Sequence, residues 1–190
     1  MIEEFFDVLD KDGNMIGQVC PRNTVHKNGY FHATVHVWVV NESGNILLQK
    51  RSMQKDTHPG LWDISCAGHL SAGDTPLDAA VRELYEELGI SIDTTSRFQF
   101  LFRVFKSYIS PDQSINDNEF SDVFILRVAD TEKIRFCTEE ISEVKFVSLT
   151  TLGKMVSAAD RELVPHYEEY GKILEYLKST THTDSNFQEI

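Results

Sequence analysis

Glu83, Glu86 and Glu87 stand at i, i+3 and i+4 in the run Arg82-Glu83-Leu84-Tyr85-Glu86-Glu87-Leu88-Gly89. On a helix this spacing lines three carboxylates along one stripe. The stripe is unfavourable in itself. Like charges at these separations repel by roughly a few tenths of a kcal/mol each, and acids near a helix C-terminus oppose the macrodipole. No Lys or Arg lies between Glu83 and Gly89, although Arg82 can reach Glu86. A helix built only for stability would carry cations there. Convergent carboxylates beside a Gly-containing loop suit instead a hard divalent cation such as Mg²⁺, which prefers oxygen ligands and substrate phosphates. A solvated acidic face is the alternative, and the commoner role of a Glu cluster.

The element that must hold this stripe has clear ends. Thr75 is a good N-cap, Pro76 suits the first helical position, and Asp78 occupies the capping-box site. Gly89 supplies a left-handed stop. Leu77, Ala80, Val81, Leu84 and Leu88 form an apolar stripe at helical spacing, beside the carboxylates.

From Gly68 to Ile90 the chain resembles the Nudix box, Gly-x5-Glu-x7-Arg-Glu-U-x-Glu-Glu-x-Gly-U, with U a bulky aliphatic. Gly68, Arg82, Glu83, Leu84, Glu86, Glu87, Gly89 and Ile90 fall in place. Asp74 stands where the pattern has Glu, at a position that supports the loop by pairing with the Arg. The resemblance implies an α+β fold, the Nudix αβα sandwich with a mixed sheet, over roughly residues 31–159. It also implies Mg²⁺ or Mn²⁺ on Glu83, Glu86, Glu87 and the Gly68 carbonyl.

The surroundings resemble one Nudix branch, the type 1 isopentenyl-diphosphate isomerases. Pro59-Gly60-Leu61-Trp62, Gly68-His69 and Asp117-Asn118-Glu119 carry that likeness, and His32 is similar to one of the branch's metal-binding histidines. The branch's catalytic thiol precedes the box glycine directly. Here that position is Ala67, and Cys66 lies one residue earlier, which on a strand points to the opposite face. The expected reaction is therefore hydrolysis of a phosphoanhydride bond in a nucleoside diphosphate linked to another moiety, or a related organic diphosphate. Glu83 or Glu119 would serve the attacking water, and His69 would join the metal ligands. The alternatives are an isomerase using Cys66, a non-catalytic Nudix binding module, and a soluble α+β domain with an acidic face.

Lys50, Arg51 and Lys55 form the densest basic cluster and could hold substrate phosphates, or be ordinary surface charges. His26, His36, His58, His166 and His182 carry the ordinary expectation for a lone histidine, a structural or surface role.

Composition bounds the rest. The chain has 190 residues, 41% hydrophobic and 25% charged, with a net charge of −12. That charge disfavours a nucleic-acid polymer or an anionic membrane as partner. Cys20, Cys66 and Cys137 lack metal-ligand spacing and suggest a reducing, cytoplasmic setting. No segment approaches the ~20 apolar residues of a membrane span, and the acidic N-terminus does not read as a signal peptide.

The expected organisation is a hairpin and connector (1–28), a Nudix domain (29–160), a packed C-terminal helix (161–178) and a loose tail (179–190). Strands are expected at Phe5–Leu9, Met15–Val19, His32–Val40, Ile46–Arg51, Leu61–Ala67, Phe98–Tyr108, Glu119–Val128 and Val144–Ser148, with a substrate-selecting loop at Ser110–Asn118. A helix is expected at Thr150–Ala159. The hairpin also offers an edge on which two copies could pair.

Overall fold

The computed structural model describes residues 3–92, 97–158 and 161–184, with side chains through Thr180. A hairpin opens the chain, β1 (Phe5–Leu9) and β2 (Met15–Pro21). Its turn is held by Asp10, whose Oδ1 accepts from the backbone N–H groups of Asp12 and Asn14. Helix α1 (Arg22–Asn28) stops at Gly29, whose φ of 66° favours glycine.

Strand β3 (Phe31–Asn41) is the axis of the sheet. One edge runs parallel to β8 (Asn116–Val128) along its whole length. β8 in turn pairs antiparallel with β7 (Phe98–Ile109). The other edge of β3 is shared. It meets β1 at Leu9↔Phe31 and β4 (Ile46–Arg51) at Val40↔Ile46. Past that last pair β3 and β4 separate. β5 (Trp62–Asp63) takes the freed edge of β4, and β6 (Cys66–His69) takes that of β3.

This fork explains why one expected strand, Leu61–Ala67, is two short ones. Between them the Ser65 hydroxyl donates to Leu47 C=O on β4 and accepts from Val39 N–H on β3. Both backbone groups stay satisfied where the ladder opens. β9 (Ile141–Val147) closes the far edge of β4.

Helix α2 (Pro76–Leu88) covers one face. Thr75 Oγ1 accepts from Asp78 N–H, and Gly89 ends the helix at φ 65°. Ala79, Ala80, Leu84 and Leu88 pack on Val35, Val37 and Val39. Ala79 is buried in place of the expected Leu77, which is exposed in the first turn. On the opposite face α3 (Leu149–Ser157) and α4 (Tyr167–Asp184) pack on Trp38, Val40 and Leu48 through Leu152, Tyr170, Ile173 and Leu177. The result is an αβα sandwich.

Two expected boundaries move. α4 starts at Tyr167 rather than Arg161 because residues 161 and 162 form a turn and Leu163 bridges Trp62. Trp62 N–H donates to Glu162 C=O, Val164 N–H donates to Trp62 C=O, and Pro165 follows. α4 also continues to Asp184, through part of the expected tail; residues 185–190 lie outside the described residues. The loop after β7 is shorter than expected, because β8 begins at Asn116. Asp117 is therefore a strand residue.

Candidate active site

The fork between β3/β6 and β4/β5 opens into a cavity of about 520 Å³. Glu83, Glu86, Glu87, Arg82, Gly68, His69, Glu119, Arg51 and Lys55 all line it. Lys50 does not. Neighbours on a strand point to opposite faces, and the Lys50 ammonium lies 5.6 Å from the Trp62 ring centre. Of the three basic candidates, Arg51 and Lys55 therefore line the cavity and Lys50 lies outside its lining. Arg51 reaches into the fork, donating to Asp63 Oδ2 at 3.0 Å and to Thr57 C=O at 2.9 Å. Lys55 is paired with Glu140.

On the α2 side, Gly68 makes the close approach possible. A Cβ there would overlap the Glu83 carboxyl group. Arg82 organises the loop: it donates to Glu83 Oε1 at 2.6 Å, to His69 C=O at 3.0 Å and to Asp74 Oδ2 at 3.3 Å. Asp74, one methylene shorter than Glu, still reaches it. Glu86 lies 3.5 Å from Arg82. Glu87 turns inward, its Oε2 facing Gln49 Nε2 at 3.3 Å and Ala67 N–H at 3.4 Å. Burial raises Glu83 to about 7 against the pull of Arg82. Burial and the neighbouring Glu83 raise Glu87 to about 7 as well. Two buried acids that resist ionising beside each other fit a divalent cation, which would favour both charged forms.

A second group lies across the same cavity. His26 from α1, His32 from β3, His69 from β6, and Asp117 and Glu119 from β8 converge. Their donor atoms form two sets, His26/His32/His69 and His32/Asp117/Glu119, each with all atoms within 4.8 Å of one another. Asp117 Oδ1 lies 3.4 Å from His32 Nε2 and 3.8 Å from His26 Nε2, and His69 Nε2 lies 3.5 Å from Glu119 Oε1. Four of these atoms, the three Nε2 atoms and Asp117 Oδ1, are buried without a hydrogen-bond partner. Such orphans are costly and call for an occupant. His32 Nδ1 donates to Tyr30 C=O, leaving its Nε2 lone pair free. Burial holds His32 down at about 4 and His26 at about 3, so both rings are neutral, the form that binds metals. Burial pushes Asp117 up to about 8, with Glu119 adding to it. Glu119 stays ionised: burial opposes it, but Lys106 and His69 hold it low.

His26, for which the sequence carried only the ordinary expectation of a lone histidine, stands in this donor set. Its neighbours come from elements far apart in sequence, so no local spacing marks it. Phe6 is equally silent in sequence; its ring stacks on His69 at 4.7 Å and on His32 at 5.5 Å. The hairpin is therefore a wall of the site.

The third ligand-like set, His36/His166/Glu169, differs in being closed. Glu169 accepts from Trp38 Nε1 and pairs with His36 Nδ1, both at 2.7 Å, while His166 pairs with Asp63 at 3.0 Å. The three glutamates of α2 do not form such a set among the described residues, because Arg82 holds Glu83 and Glu86 while Glu87 turns to Gln49.

Cys66 answers the question of the thiol. It packs with Val35, Val37 and the inner face of α2, fully buried. Burial, then Glu87 and Glu83, push its thiol well above the ordinary range. The cavity-lining residue of that pair is Ala67.

A family model described as NUDIX domain matches residues 30–167. Nudix hydrolase 3 of Arabidopsis thaliana is 41% identical over 184 residues, 94% of this chain and 24% of that protein. The chain thus spans about a quarter of that relative's length. An isopentenyl-diphosphate Delta-isomerase of Cutibacterium acnes is 32% identical over 147 residues, covering 77% of this chain and 73% of the other. Among solved structures, DR0079 from Deinococcus radiodurans superposes with a TM-score of 0.71 at 22% identity, over 89% of this chain and 98% of that one. The box carried by α2, the sandwich around it and these likenesses agree: the chain belongs to the Nudix hydrolase family, in a branch resembling the type 1 isopentenyl-diphosphate isomerases.

Proposed function

We propose that the protein is a Mg²⁺- or Mn²⁺-dependent hydrolase that cleaves a phosphoanhydride bond in a nucleoside diphosphate linked to another moiety, or a related organic diphosphate. One observation carries this reading. The box carboxylates line the cavity beside Ala67, while the neighbouring thiol of Cys66 is buried on the other face of β6. Groups for phosphate chemistry are in place; the group for carbon acid–base chemistry is not.

Glu83, Glu86, Glu87 and the Gly68 carbonyl would hold the box cation, and His26, His32, His69, Asp117 and Glu119 would hold a second one. When bound, such cations offset phosphate charge and acidify water. Arg51 and Lys55 add positive charge where substrate oxygens enter. Glu83 or Glu119 orients the attacking water and takes its proton. Both carboxylates line the cavity, which that task requires of a base.

The histidine group supports a donor set softer than that of the box, with imidazole favouring transition metals over Mg²⁺. The three unpaired cysteines support a reducing compartment. Exposed Met15, Ile16 and Val19 on β2 support pairing of two copies, which sedimentation would read.

The test is a panel of organic diphosphates incubated with Mg²⁺ or Mn²⁺ and scored by product. Hydrolysis products from at least one nucleoside diphosphate derivative are expected. Deuterium uptake into isopentenyl diphosphate without phosphate release would instead establish the isomerase.

A further inference from the structure

Arg51 is held in the fork by protein groups alone. Its Nε donates to Thr57 C=O at 2.9 Å, its Nη2 to Thr57 Oγ1 at 3.2 Å and its Nη1 to Asp63 Oδ2 at 3.0 Å. A guanidinium carries five N–H donors in a rigid plane. Those three bonds leave one N–H on each terminal nitrogen without an acceptor among the described residues, on a side chain that lines the cavity. Asp63 is fixed in its turn. It is 2% exposed, and its Oδ1 accepts from Ile64 N–H at 2.8 Å and faces His166 Nε2 at 3.0 Å. Burial opposes its charge, but His166 and then Arg51 hold its carboxyl well below the usual carboxylate range.

His166 is anchored as firmly. Two residues before it, Val164 N–H donates to Trp62 C=O and ties the chain to β5. On its other side Tyr170 N–H donates to His166 C=O and opens α4, while Tyr170 OH donates back to Val164 C=O. The His166 ring meets those of His36 and Tyr170 edge-on, at 5.1 and 6.0 Å. Stability alone does not call for such a chain of buried polar partners, since replacing a buried ion pair by apolar residues of similar volume is often neutral or stabilising. What the chain does provide is an arginine with few rotamers left to lose. A long side chain ordered only on binding weakens affinity by the cost of its immobilisation, and one already ordered does not.

We propose that Asp63 and His166 are positioning residues, which hold the Arg51 guanidinium in the fork so that its two remaining N–H donors meet the oxygens of the substrate's diphosphate. The inference rests on the diphosphate-hydrolase reading, in which Arg51 meets substrate oxygens, and adds two residues that act through it. A carboxylate on β5 and a ring at the entry to α4 thereby tie the far layer of the sandwich to the placement of one cation.

The experiment measures affinity for inorganic pyrophosphate in the presence of Mg²⁺ by calorimetric titration, with folding checked by thermal melting. His166→Phe keeps the ring and removes the donor to Asp63, whereas His166→Gln keeps a donor and removes the ring. His166→Phe is expected to weaken binding about tenfold, the upper cost of immobilising one long side chain, and His166→Gln to stay within about twofold of wild type. In an Arg51→Gln background His166→Phe should have no further effect, because its action passes through the guanidinium. Should the His166 variants not fold, Asp63→Asn takes their place and is expected to weaken binding about tenfold with Arg51 present and not at all without it. A loss in His166→Gln as large as in His166→Phe, no loss in either, equal losses in the two Arg51 backgrounds, or no binding of pyrophosphate to wild type would overturn the proposal. Packing alone would favour the phenylalanine and would not depend on Arg51. Hydrolysis of organic diphosphates is scored separately: if none is cut while the binding results are as expected, the hydrolase reading fails and the positioning role stands.

Discussion

At the scale of single residues, the site depends on two carboxylates, Glu83 and Glu87, whose ionisation burial opposes. Glu87 is the sharpest case, buried and facing Gln49, Ala67 N–H and Cys66. Glu87→Gln keeps its shape and removes only the charge. Turnover should fall at least about a hundredfold, in line with losses seen when metal-binding groups are disrupted, while the melting temperature holds or rises because a strained buried acid is gone. Near-normal hydrolysis by both this variant and Glu86→Gln would remove the metal assignment. These residues were readable from sequence because the i, i+3, i+4 spacing, the caps and the box all lie within one helix and its preceding loop. Lys50 and Arg51 were not separable, since basic character alone does not say which of two strand neighbours faces the fork.

Among the elements, the β1–β2 hairpin and α1 have the least obvious role in sequence and a large one in the structure. They bring Phe6 and His26 onto a cluster whose other members sit on β3, β6 and β8. Contacts assembled from five elements leave no local period to read, so the histidine group was only partly visible, through His32 and the box-adjacent His69. Phe6 is 2% exposed. Phe6→Ala should cost about 3–5 kcal/mol of stability. It should also weaken the thermal stabilisation given by added Mn²⁺, as read by melting curves with and without the ion. A loss of stability with the Mn²⁺ response intact would mean that the hairpin only packs against the site.

The molecule as a whole is tied across its sandwich by buried charge. Glu169 on α4 holds His36 on β3, and burial on both sides is overcome by the pair itself. The His36 pKa is raised above its ordinary 6.5, so its contribution is complete below that value and is lost as pH rises through the folded value. The Glu169 pKa is lowered below 4.5, so its contribution is complete above that value and is lost as pH falls through the folded one. The pair is thus fully formed between about 4.5 and 6.5. Glu169→Gln should destabilise by about 3 kcal/mol near pH 6 and by less near pH 9, measured by urea unfolding at both. An equal loss at the two values would assign the effect to packing alone. The sandwich and most strand positions follow from alternation and caps, but this long-range pair does not, because residue 169 meets residue 36 only once the sheet exists.

The fork at Val40↔Ile46 has a mechanical meaning. Beyond it, β3 with β6 and β4 with β5 are two leaves joined at a hinge line, with Ser65 as the stitch at its end. A substrate touching Arg51 on one leaf and the Gly68–His69 segment on the other would act as a crossbar. Amide hydrogen exchange at Trp62–Asp63 and Cys66–His69 should then slow on binding, while exchange in the β7–β8 pair stays as it was. Occupancy would be written into the stiffness of the seam as well as into the chemistry beside it.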